Sequence, residues 1–98
     1  MNTQIPVKNT NIAARILGDF TVVIDLGEER MFHELNETAA MVFSLCDGKK
    51  TVEEIITVMS EEYDSSQEEL RTDVQSLLES LSTKKLISFQ NKNNAANA

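Results

Sequence analysis

Cysteine and histidine occur once each in these 98 residues, proline once and tryptophan not at all. A lone thiol, Cys46, cannot close an internal disulfide, which sets the chain apart from stapled secreted domains and fits a reducing compartment. Metal centres, hydrolases and transferases need several nucleophiles, bases or ligands together, and His33 and Cys46 lie in different segments. Catalysis, a metal and a cofactor are therefore not expected. His33 reads as a half-exposed strand residue or a contact for a bound peptide, and Cys46 as a small buried apolar group. Glycine is also scarce: Gly18, Gly27 and Gly48 stand apart, so no loop resembles the glycine-rich cradle of a nucleotide site. Each fits a turn or a helix stop.

Basic residues are the next shortage, with nine Lys and Arg against sixteen Asp and Glu and a net charge of −7. Phosphate backbones are bound by clustered basic side chains, so nucleic acid is not an expected partner. An acidic surface would instead steer a basic one. No stretch approaches the roughly 20 apolar residues of a membrane span, and no N-terminal apolar run has signal-peptide length. The expectation is a soluble cytoplasmic protein with no membrane partner.

What is present suffices for one small core. The hydrophobic fraction of 41% is ordinary for a globular chain, and the core must come mainly from Leu, Ile, Val and Met. A domain this size buries only about 60–65% of its unfolded surface, so a long open cleft would be costly. Residues 1–11 are polar, aperiodic and hold Pro6, and read as a flexible N-terminal arm. Residues 12–90 form the domain, and 91–98, NKNNAANA, read as a disordered tail.

Within the domain, Ile16-Leu17, Gly18-Asp19 and Thr21–Ile24 predict a hairpin, and the break Gly27–Arg30 leads into a third strand over Met31–Leu35. Asn36 is placed to cap a helix carrying Ala39, Val42, Phe43 and Cys46, which Asp47-Gly48 ends. Thr51-Val52-Glu53-Glu54 is a capping box, opening a helix with Val52, Ile55, Ile56, Met59 and Tyr63 on one face. A third helix starts near Ser65 or Ser66 and runs to about Thr83, with Lys84 and Lys85 near its negative end. Leu86–Phe89 then predicts a short extended segment packed on the core. The carboxylates from Glu61 to Asp73 lack the alternating, glycine-centred loop of an EF-hand and read as a solvated rim or a docking surface.

Leu35-Asn36-Glu37-Thr38-Ala39-Ala40, Cys46-Asp47-Gly48-Lys49-Lys50-Thr51-Val52-Glu53-Glu54-Ile55, then Tyr63, Val74 to Leu81 and Lys85-Leu86-Ile87, stand in an order similar to the PqqD-like family. That family is named for pyrroloquinoline quinone biosynthesis protein D, and its members are also called recognition elements for ribosomally synthesised, post-translationally modified peptides. The resemblance covers about Ile16 to Phe89. It implies an α+β fold, a three-stranded antiparallel sheet followed by three helices in a winged-helix-like arrangement. It further implies a non-catalytic domain that binds the leader of a precursor peptide as an added strand beside strand three, against helix three. The leader would be delivered to a maturation enzyme, a radical S-adenosylmethionine enzyme or a leader peptidase.

On that basis Arg30, Met31, Phe32, His33, Glu34 and Leu35 are the expected edge, and Gln67, Arg71, Val74 and Leu78 the expected helical wall. At 100° per residue a core stripe centred on Leu70, Val74, Leu77 and Leu81 leaves Leu78 about 70° to one side, with Gln67 and Arg71 near it. Leu78 then either faces the groove or widens the core stripe. Arg71 either satisfies Asp64, Glu68 or another carboxylate, or contacts an acidic leader residue. The competing architecture is a winged-helix nucleic-acid-binding regulator, although from Glu68 to Leu81 the third helix offers only Arg71 as a basic residue. A third class is an acidic adaptor between folded proteins, without peptide cargo.

Overall fold

The computed structural model describes residues 4–27 and 30–91. Strand β1 (Gln4–Lys8) is followed by β2 (Ile12–Leu17), β3 (Phe20–Asp25) and β4 (Phe32–Leu35), then α1 (Glu37–Ser44), α2 (Val52–Tyr63), α3 (Gln67–Thr83) and β5 (Ile87–Asn91). Strands β2, β3 and β4 form an antiparallel sheet in that order, and the three helices follow it in the chain, as the resemblance implies. Gly18 closes the β2–β3 hairpin at φ +66°, in the first central position of a two-residue loop between the paired Leu17 and Phe20. Hairpin loops of the II′ kind put glycine there because a Cβ is strained at positive φ.

The helix starts follow the caps. Asn36 Oδ1 accepts from the Ala39 amide at 2.8 Å. Thr51 and Glu54 close both halves of the capping box, at 2.8 and 3.2 Å, and the Ser66 hydroxyl accepts from the Glu69 amide at 3.2 Å. Each satisfies an amide that the first turn leaves unpaired. The apolar face of α2 supplies the centre of the core, where Ile55, Ile56 and Met59 are fully buried among Val42, Val74, Leu81 and Leu86. Burying each such side chain contributes roughly 1.5–3 kcal/mol.

A second sheet departs from the sequence reading. Residues 4–8, expected in a flexible arm, form β1 and pair antiparallel with β5, from Gln4 opposite Asn91 to Lys8 opposite Ile87. On its other side β1 meets the link between α1 and α2, where the Lys8 amide donates to Cys46 O and the Gly48 amide to Pro6 O, both at 3.1 Å. Pro6, buried opposite Phe89, turns its nitrogen towards that link, so its missing N–H removes no β1–β5 bond. Gly48 sits at φ +79°, and a Cβ there would lie 3.1 Å from Val7 Cγ2, so the close approach of the link to β1 also requires glycine. Asn91, expected to begin a disordered tail, ends β5, and the rest of that expected tail, 92–98, lies outside the described residues.

This second sheet shifts the buried stripe of α3. The buried residues are Leu70, Val74, Leu78 and Leu81, whereas Leu77, expected at the centre of the stripe, is half-buried at its margin. Leu78 lines a recess with Gln4 of β1, Val52 of α2 and Phe89 of β5. The apolar layer that buries it is therefore the one that local periodicity did not reveal.

Candidate peptide-binding site

Among the described residues strand β4 has a single neighbour, β3, which leaves its other edge unpaired. His33 and Leu35 are paired with Val23 and Thr21, which are buried, and so lie on the face turned to the helices. Phe32 and Glu34 lie on the other face, and Phe32 is 69% exposed. The Asp25 amide donates to Met31 O at 2.8 Å. Bonded pairs recur at every second position of an antiparallel ladder, so His33 and Leu35 spend their backbone groups on β3. Phe32 and Glu34 turn their N–H and C=O to the open edge.

This edge is shorter than expected. Arg30 and Met31 precede the strand, and Arg30 takes a left-handed conformation at φ +50°, with its amide donating to Gly27 O at 3.3 Å. Glu28 and Glu29, part of the expected break, lie outside the described residues.

Where β4 runs into α1, a recess of about 290 Å³ is lined by Asn36, Thr38, Asp73, Ser76 and Leu77. Its lining comes from the start of α1, just past the end of β4, and from one flank of α3. Leu77 is its apolar wall, and Asp73 has no hydrogen-bond or ion-pair partner among the described residues. The expected wall lies elsewhere. Val74 and Leu78 are 1% and 2% exposed and belong to the core. Arg71 donates from Nη1 to Glu53 Oε2 on α2, which realises the neighbouring-carboxylate alternative and holds the guanidinium on the α2 side of α3. That hydrogen bond also raises the arginine pKa above its ordinary value. Gln67 is exposed at the start of α3, ten residues and about 15 Å along the axis from Leu77.

Asn36, Thr38, Asp73, Ser76 and Leu77, which line this recess, are not among the residues the sequence points to. For Leu77 a signal existed: with the stripe centred on Leu70, Val74, Leu78 and Leu81, it is the apolar residue left on the flank opposite Leu78.

The arrangement offers main-chain donors and acceptors near an apolar wall and a carboxylate, Asp73, that has no partner among the described residues. No group of three or more His, Cys, Asp or Glu among the described residues is placed to hold a metal ion. Burial pushes the Cys46 thiol up to about 12, with Sγ donating to Val42 O at 3.2 Å. It is thereby an inert core group. No helix among the described residues is long and apolar enough to cross a membrane.

No curated protein matches the chain. A solved structure, TbiB1 in complex with the TbiA(beta) leader peptide, matches with a TM-score of 0.74 and 21% identity, over 84% of this chain and 94% of that one, and shares the fold. The family model of coenzyme PQQ synthesis protein D (PqqD) matches residues 21–87, from the middle of the hairpin through all three helices into β5. With well over half its length matched, this chain belongs to the PqqD family.

Proposed function

We propose that this chain is a non-catalytic domain that binds the leader of a ribosomal precursor peptide and presents it to a maturation enzyme, a radical S-adenosylmethionine enzyme or a leader peptidase. The leader adds as a strand beside β4 and lays alternate side chains against the Leu77 flank of α3. The observation that carries this reading is the edge of β4 left unpaired among the described residues, with outward backbone groups at Phe32 and Glu34, beside which the recess at Leu77 begins at Asn36, the residue after the strand. Strand addition draws affinity from main-chain bonds and selectivity from side-chain pockets, and both are present here. Family membership supports it, as does the leader peptide named with TbiB1.

The test is a titration of the ¹⁵N-labelled protein with the leader of a precursor peptide encoded beside its gene. Amide shifts are expected to cluster on Phe32–Leu35 and around Asp73–Leu77. Shifts confined to Glu61–Asp64, with β4 silent, would replace this reading with that of an acidic adaptor.

A further inference from the structure

Among the described residues the sheet has a second unpaired edge, along β2, and a groove lies beneath it. Ile12, Ala14 and Ile16 are paired with Asp25, Val23 and Thr21, so their side chains project to the helix face of the sheet. The Leu17–Phe20 pair that closes the two-residue loop is a bonded one, and bonds recur at Arg15 and Ala13. The backbone groups of Ile12, Ala14 and Ile16 accordingly point away from β3. The same three residues offer both side chains and main-chain bonds to whatever runs beside them.

The hairpin overhangs the helices, leaving Ile16 81% and Leu17 52% exposed. Between it and the helices lies a groove of about 470 Å³ with an apolar lining of Ala14, Ile16, Ala40, Met41, Phe43 and Tyr63. Lys8, at its margin, is already engaged: Nζ donates to Ser44 O at 3.2 Å and stands 5.4 Å from the Phe43 ring centroid. Glu37 and Glu62, also lining the groove, have no hydrogen-bond or ion-pair partner among the described residues. A second copy of the chain would bring another net −7 to an already acidic rim, whereas a basic segment would meet complementary charge.

We propose that this groove is a second docking surface, filled by an extended segment of a protein partner that runs beside β2 and presents aliphatic side chains flanked by lysine or arginine. The proposal does not depend on leader binding at β4. The two edges are two strand spacings, about 10 Å, apart, so both can be occupied together.

The test uses the full chain, ¹⁵N-labelled, and two designed soluble peptides, one alternating lysine with isoleucine and the other carrying glutamate in place of lysine. The lysine peptide is expected to shift Ala14, Ile16, Ala40 and Met41, and the glutamate peptide to leave them unmoved. Ile16→Glu should weaken binding about tenfold or more, as loss of a central apolar anchor does. Joint reversal by Glu37→Lys and Glu62→Lys should weaken it about fivefold. A thermal melt checks the fold of each variant. The proposal is overturned if the lysine peptide shifts β4 or the Glu61–Asp64 stretch with the hairpin silent, if both peptides bind alike, or if neither binds at millimolar concentration. An Ile16-dependent dimer in sedimentation, formed without peptide, would overturn it too and make a second copy the occupant.

Discussion

Leu77 and Leu78, consecutive in α3, part to opposite flanks of the helix: Leu78 is buried beside Val52 and Phe89, and Leu77 lines the recess with Thr38 and Asp73. The two leucines should therefore report different properties. Leu78→Ala is expected to cost about 2–5 kcal/mol of stability through the cavity it leaves. Leu77→Glu, at the half-buried margin of the core, should cost less stability than Leu78→Ala and weaken leader binding about tenfold or more, by removing an apolar anchor. Calorimetric titration with thermal melts separates the two, and a Leu77→Glu variant with undiminished affinity would remove α3 from the site.

The alternation of β4 yields a second pair of expected outcomes. His33 turns its amide to β3, so His33→Pro should break a ladder bond and lower the melting temperature. Glu34 turns its amide outward, so Glu34→Pro should spare the ladder and weaken leader binding. Equal loss of binding in both variants, with equal loss of stability, would mean that the outward amide is not used.

Asp47 sets an acid limb on stability. Its carboxyl is held well below the usual carboxylate range, first by the Lys50 side chain at 2.8 Å, then by the backbone amides of Lys49 and Lys50. A carboxyl depressed on folding stabilises the fold above its ordinary pKa of 3.8, and that contribution is lost as pH falls through the folded value. Asp47→Asn should lower the melting temperature modestly at pH 7, because the site is exposed. The two melting curves should converge as pH falls from about 5 to below 3.

Cys46 sets the alkaline limb. Its thiol is fully buried and pushed up to about 12 from an ordinary 9.0, chiefly by desolvation. Above about pH 9 the unfolded chain ionises this thiol while the folded chain keeps it neutral, so stability should fall as pH rises from there towards 12. Iodoacetamide at pH 8 should leave the native protein unlabelled, with modification in urea tracking global unfolding. Rapid labelling of the native protein would show that the α1 end of the core opens on its own.

The features legible in the sequence are those fixed by neighbours in the chain. Asn36, Thr51 and Ser66 mark the helix starts because a cap answers amides three residues away, and Gly18-Asp19 marks the hairpin because a two-residue loop needs glycine there. Strand β1 was not legible, since Pro6 argues against a strand locally and its partner Phe89 lies at the other end of the domain. Without that sheet the α3 stripe centres on Leu77, whereas Leu78 takes its place among the buried residues. The Arg71–Glu53 pair was hidden for the same reason, because it joins residues 18 apart in sequence on two different helices.

The pairing of Gln4 with Asn91 has a kinetic meaning. Closing a loop of nearly the whole domain is entropically expensive while the chain is extended, and the β2–β3 hairpin and the three helices all form from nearer neighbours. Loop closure thus favours an order in which these elements assemble first and draw the ends together, with β1 zipping onto β5 afterwards. On that order Leu78 is among the last core residues to lose water, and mutations at Pro6 or Phe89 should speed unfolding more than they slow folding.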